Sequence, residues 1–180
     1  MQLQRHSSHM VRVYDDILPR ELCKKLIDLF ENSSEYHEYF NNNHRPCFTQ
    51  LNLNQYYIKV VKNLIPYVAQ VYDKYKTKFL PELSSLEEFR IKRYLPNGDE
   101  RFDEHIDVTN YSTAKRVVAF IFYLNGNDGN TVFLNQDLNI QPECGKVLVF
   151  PPTWEYPHSG LPPSNYSKYI LSTYIHYGTN

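Results

Sequence analysis

Apolar and polar positions alternate over Val11–Tyr14, which predicts a short strand. After Asp15, Asp16 and Pro19, the residues Leu22, Leu26, Ile27 and Phe30 fall on one side of a 3.6-residue period. That predicts a helix from about Arg20 to Glu31. Asn32–Asn43 is polar, rich in Asn and Ser, and is expected to be loop. Over His44–Gln50, Pro46 argues against a helix, so extended chain is expected. Tyr57, Val60, Val61, Leu64, Ile65, Val68, Val71 and Tyr72 then recur at helical spacing. One long helix from Leu53 to about Phe79 follows, kinked or broken at Pro66 and ended before Pro81.

The period changes at Phe89. Phe89–Tyr94, Lys115–Leu124, Thr131–Leu134, Lys146–Phe150, Trp154–His158 and Lys168–His176 are short strand candidates separated by turn signals. The pattern predicts a mainly β fold with flanking α, a sandwich or jelly roll with the N-terminal helices packed on one outer face. A single domain over 11–180 is expected, with 11–85 as helical support and 86–180 as the core that carries the chemistry. Residues 1–10, MQLQRHSSHM, look like an expression leader, so His6 and His9 are set aside and Met10 is the expected natural start.

Composition narrows the picture. The chain has 180 residues and 42% hydrophobic content, enough for one sizeable core. A net charge of -1 gives no global field for nucleic acid, and Lys59, Lys62, Lys74, Lys76 and Lys78 are expected on the solvated face of a helix. No apolar run nears the roughly 20 residues needed to span a bilayer, and no export signal opens the chain. A cytoplasmic protein without a membrane partner is therefore expected. Cys23, Cys47 and Cys144 are widely spaced with no CxxC pair, which argues against a disulfide framework or thiolate zinc and for small buried hydrophobes.

The candidate chemistry lies in the C-terminal half. His105 and Asp107 are two apart, so on extended chain they share a face. His158 follows across several strands, and Lys168 comes ten residues later. Two imidazoles and a carboxylate form the ligand set of a non-haem Fe(II) site with open positions, though Zn, Mn or Co accept the same donors. His37, His44 and His176 are rivals without comparable partner spacing.

The wider pattern resembles the prolyl 4-hydroxylase-like family of Fe(II)/2-oxoglutarate-dependent oxygenases. The resemblance runs from Arg93-Tyr94-Leu95-Pro96-Asn97-Gly98 through Phe102 to His105-Ile106-Asp107. It continues in Tyr123-Leu124-Asn125, Gly129-Asn130-Thr131-Val132-Phe133, Gly145–Pro151, His158-Ser159-Gly160 and Lys168, about half the chain. Two positions and one spacing depart from the family pattern: Asn130 stands where it has Glu, Tyr174 where it has Trp, and the interval from Tyr94 to His105 is two residues longer.

The resemblance implies a double-stranded β-helix, a form of jelly roll, that holds Fe(II) through His105, Asp107 and His158. It implies 2-oxoglutarate as co-substrate, with Lys168 on its far carboxylate and Tyr94, Thr131, Tyr123 and Tyr174 lining the pocket. Arg116 is either an anion-steering or a surface residue. O2 is the oxidant and ascorbate fits as an accessory. The reaction implied is hydroxylation of a C–H bond with release of succinate and CO2. The implied substrate is a prolyl residue in a peptide or protein, with a small molecule as the alternative. Arg45 and Phe48 within Asn41–Leu53, a lid over Asp107–Lys115, and an aromatic wall of Trp154 and Tyr156 are the expected substrate cleft. Two other classes stay open: a non-catalytic jelly-roll binding module, and a cupin-like metalloenzyme that does not use 2-oxoglutarate.

Overall fold

The structure is a computed structural model that describes residues 10–42, 46–80, 82–83, 85–96 and 98–178. Residues 1–9 of the expected leader, His44 and Arg45 lie outside the described residues. The first helix, α1 (Arg20–Glu31), starts directly after Pro19, whose fixed φ suits a helix entry. It buries Cys23, Leu26 and Phe30 and exposes the Lys24–Asp28 pair. The expected long helix is instead two, α2 (Leu53–Tyr56) and α3 (Ile58–Tyr75). Their break lies at Tyr57, not at Pro66. Asn52 caps α2 by accepting from the backbone N–H groups of Asn54 and Gln55. Tyr57 leaves helical geometry, and its hydroxyl meets Ser33 Oγ at 2.6 Å just past α1. Pro66 is tolerated inside α3 because it stands on the exposed face, where the carbonyl it leaves without a donor meets water.

Seven strands form a major antiparallel sheet: β1 (Arg12–Tyr14), β2 (Glu38–Asn41), β3 (Cys47–Asn52), β4 (Arg90–Tyr94), β6 (Arg116–Tyr123), β9 (Val147–Phe150) and β11 (Lys168–His176). Their order is β1-β9-β6-β11-β4-β3-β2. A minor sheet, β5 (Phe102–His105), β10 (His158–Gly160), β7 (Thr131–Phe133) and β8 (Leu138–Ile140), runs in the order β5-β10-β7-β8. The two sheets form an open jelly roll. Both faces of the major sheet are covered. Val118, Phe120 and Phe122 of β6 pack with Leu26, Phe30, Val68 and Tyr72 on the helical side. Ala119 and Tyr123 pack with Phe133, Leu148 and Phe150 between the sheets. This double burial explains the nearly continuous apolar run of β6.

Two strand expectations are corrected. Asn32–Asn43 is not all loop: it holds a short 3-10 turn and β2, an edge strand whose Tyr39 is exposed and whose apolar signal is correspondingly weak. Trp154–His158 is not a strand; β10 begins only at His158. Among the described residues, no helix is long and apolar enough to cross a membrane.

Candidate metal and co-substrate centre

His105 closes β5 and His158 opens β10, and the two are direct register partners in the minor sheet. Asp107 lies in the bend after β5. Its backbone N–H and that of Val108 donate to the Pro152 carbonyl at 3.2 and 3.1 Å. The Asp107 carboxylate then faces both rings, Oδ1 at 3.5 Å from His105 Nε2 and Oδ2 at 3.8 Å from His158 Nε2. One donor atom of each residue lies within 4.8 Å of the others. Donors about 2.1 Å from one ion are spaced by about 3–4 Å, so the set fits a metal with little adjustment.

Each ring is held the same way. His105 Nδ1 donates to the carbonyl of Asp103 at 2.8 Å, and His158 Nδ1 to that of Tyr156 at 3.2 Å. A carbonyl can only accept, so the proton sits on Nδ1 and Nε2 presents its lone pair inward. Phe102 stacks on His105 with centroids 3.4 Å apart, and Phe150 meets His158 edge-on. Burial pushes His158 down to about 4, which keeps the imidazole neutral. Burial alone would raise Asp107, but the facing His105 and His158 and the nearby Lys92 bring it down to about 2. His158 and Asp107 are thus already in their ligating forms at neutral pH.

The same cavity has a cationic end. Lys168, the first residue of β11, is the register partner of Tyr94 and is 2% exposed. Its Nζ donates to the Gly129 carbonyl at 2.6 Å and lies 5.4 Å from the Tyr94 ring centre. Among the described residues no carboxylate pairs with it, and burial lowers it to about 7. Gly129 has to be a glycine here, because a Cβ would sit 2.8 Å from the Leu161 carbonyl. Thr131 lines the cavity and accepts at 2.8 Å from the buried hydroxyl of Tyr123. Tyr123 therefore acts behind Thr131, not in the cavity lining itself. Tyr94 and Tyr174 do line it, and burial pushes all three phenols up. A buried cation lacking an anion at one end and a ready donor set at the other fit a dicarboxylate and a metal ion together.

Residues 89–176 match the 2OG-Fe(II) oxygenase superfamily. Those residues carry a 2OG-Fe(II) oxygenase domain. That family works with Fe(II), 2-oxoglutarate and O2. No curated protein matches the sequence. Solved structures share the fold. The viral collagen prolyl hydroxylase of Paramecium Bursaria Chlorella virus-1, solved with 2OG, is 18% identical with a TM-score of 0.75, over 94% of this chain and 97% of that one. A Trichoplax adhaerens prolyl hydroxylase, in complex with a hypoxia inducible factor peptide fragment, is 15% identical with a TM-score of 0.79, over 94% and 84%. A Pseudomonas putida prolyl-4-hydroxylase is 17% identical with a TM-score of 0.74, over 95% and 94%.

The oxygenase centre also uses residues the sequence reading missed or left open. Arg116 Nη1 donates to the Asp107 carbonyl at 2.9 Å, its guanidinium lies 4.2 Å from the Tyr174 ring centre, and its other nitrogens grip Glu87 at 2.7 and 2.6 Å. Glu87 further accepts from His176 at 2.9 Å and Arg90 at 3.0 Å. Burial alone would raise Glu87, but these partners hold it at about 2. Lys92, two residues before Tyr94 on β4, also lines the oxygenase cavity, and burial pushes it down to about 8. The i, i+2 spacing to Tyr94 was the available signal.

The expected aromatic wall is corrected. Trp154 sits in a turn and is 74% exposed, because the strand that would have aligned it with His158 does not extend that far. Tyr156 packs half-buried between the sheets, and its carbonyl holds the His158 ring. His37 stacks on Phe30 and His176 serves Glu87, so neither is part of the donor set. An open cleft of about 670 Å³ leads from His105 and Asp107 past Phe48, Gln50, Arg90, Thr109 and Thr113. Both expected cleft segments, 41–53 and 107–115, contribute to its walls.

Proposed function

We propose that the protein is an Fe(II)- and 2-oxoglutarate-dependent dioxygenase that hydroxylates a C–H bond of a prolyl residue in a peptide or protein. The observation that carries this is one cavity lined by His105, Asp107, His158 and the buried Lys168. His105 and Asp107 from the end of β5, and His158 from β10, would hold the metal. Lys168 would take the far carboxylate of 2-oxoglutarate, with Tyr94 and Thr131 beside it. Bound together with O2, the metal and co-substrate supply the oxidising power, leaving succinate, CO2 and a hydroxyl group on the substrate carbon. The chain's part is positional. Asp103 and Tyr156 carbonyls hold the rings, Arg116 and Pro152 hold Asp107, and the Phe102, Phe133 and Phe150 rings exclude water around the imidazoles.

A peptide substrate is supported by the open cleft beside the metal donors and by the solved relatives that are prolyl hydroxylases, one of them holding a peptide fragment. The single domain over 11–180 is proposed on the contacts of α1 and α3 with the major sheet. Anaerobic titration with Fe(II) and 2-oxoglutarate tests the reading. A weak visible charge-transfer band should appear only with both present and vanish in Asp107→Ala. Metal binding without the band would replace the reading with a cupin-like enzyme; absence of metal binding would leave a binding module. Proline-containing peptides should then gain one oxygen by mass spectrometry.

A further inference from the structure

The major sheet carries a second cation toward the metal donors, and the oxygenase reading gives it no task. On β4, Tyr94 faces Lys168 across the register, and Lys92, two residues away on the same face, lies opposite Gln50 and Ile170. Lys168 lines the inner cavity alone, whereas Lys92 lines both that cavity and the open cleft. It therefore stands where a molecule entering through the cleft must pass to reach His105, Asp107 and His158.

The two arginines of the cleft are matched by carboxylates, and the Glu38 carboxylate is held by a neutral amide. Arg90 pairs with Glu87 and Glu88, Arg116 pairs with Glu87, and Glu38 accepts from Gln50 Nε2 at 3.1 Å. Among the described residues no carboxylate makes an ion pair with Lys92; Asp107 and Glu87 act on it only at longer range, and the Phe48 ring centre lies 5.0 Å from its ammonium. A half-buried ammonium with no carboxylate in ion-pair contact favours an anionic ligand. Glu38 and Glu88 on the cleft walls disfavour a dianion such as phosphate and leave a single carboxylate as the better match.

We propose that Lys92 binds a carboxylate of the substrate, so that this oxygenase selects an acidic target. The inference rests on the oxygenase reading for what happens at the metal, but not for the binding itself. The carboxylate has two sources: an Asp or Glu side chain flanking the target proline, or the α-carboxylate of a terminal or free proline.

The test is fluorescence anisotropy with labelled proline peptides carrying Glu, Gln or Lys at the flanking positions, and competition by free L-proline. It is run under nitrogen with and without Fe(II) and 2-oxoglutarate. The wild type should bind a Glu peptide, or the free carboxylate, about tenfold or more tightly than its neutral counterpart. Lys92→Met should level the difference, and Lys92→Glu should turn the preference toward the Lys peptide. Competition by L-proline with no effect of the flanking residue assigns the α-carboxylate; dependence on the flanking residue assigns the side chain. The proposal is overturned if Lys92→Met keeps the wild-type ratio, if no carboxylate ligand binds better than its neutral counterpart, or if Lys92→Met weakens 2-oxoglutarate and not the peptide. A wild type without the charge-transfer band would sink the oxygenase reading instead, while the Glu-to-Gln ratio would still report on Lys92.

Discussion

Lys168 shows how one side chain ties chemistry to pH. Its ammonium is lowered from the ordinary lysine value of 10.5 to about 7 by burial. Between those values the unfolded chain binds the proton that the folded chain releases, so this group adds stability as pH rises from 7 toward 10.5. An anionic ligand reverses the balance, because a carboxylate favours the charged form. Above pH 7, 2-oxoglutarate binding should take up a proton at Lys168, and affinity should fall by up to about tenfold per pH unit between 7 and 9. Lys168→Arg, which stays charged, should bind with a flat profile. Calorimetry in buffers of different ionisation enthalpy would show the proton uptake, and its absence in the wild type would refute the linkage. At this scale the sequence revealed the donor pattern and the lysine, because HxD and the ten-residue step are local. It did not reveal what orients them. The Asp103, Tyr156 and Pro152 carbonyls act through the backbone, which every residue type shares, so no side-chain identity marks them.

Arg116 and Glu87 act at the level of elements. Arg116 opens β6, Glu87 precedes β4, and His176 ends β11, so the cluster joins three neighbouring strands below Asp107. The Glu87 carboxylate is 13% exposed and is lowered from 4.5 to about 2. A depressed carboxyl contributes stability in full above its ordinary value and loses it as pH falls toward the folded value. Glu87→Gln should therefore cost about 3 kcal/mol at pH 7, with the gap to wild type closing between pH 4.5 and 2. Urea unfolding at a series of pH values measures this, and a gap independent of pH would assign the loss to packing alone. A metal titration of the same variant would read whether Asp107 has lost its backbone support. Helix α1 was legible because it buries one periodic face, and strands β4, β6, β9 and β11 because their apolar residues are bounded by turn signals. Strand β2 and the break at Tyr57 were not. The first is an exposed edge, and the second depends on a hydroxyl contact with Ser33, 24 residues away.

Across the whole molecule, the two sheets divide the work. The proposed metal ligands belong to the minor sheet or the bend after β5, while Lys168, Tyr94 and Lys92 project from the major one. The overall jelly roll was readable because its strands alternate and its turns are marked. How the sheets face each other was not, since pairs such as Tyr123–Thr131 and Lys168–Gly129 arise only on closure. The division has a mechanical consequence. A molecule anchored to metal on one sheet and to an ammonium on the other acts as a cross-brace between two plates that otherwise share a modest set of ties. Loading should stiffen the molecule across the gap, so amide exchange in β5, β7 and β10 should slow only when both anchors are engaged. Removing Lys168 should then leave the metal bound but the plates unbraced.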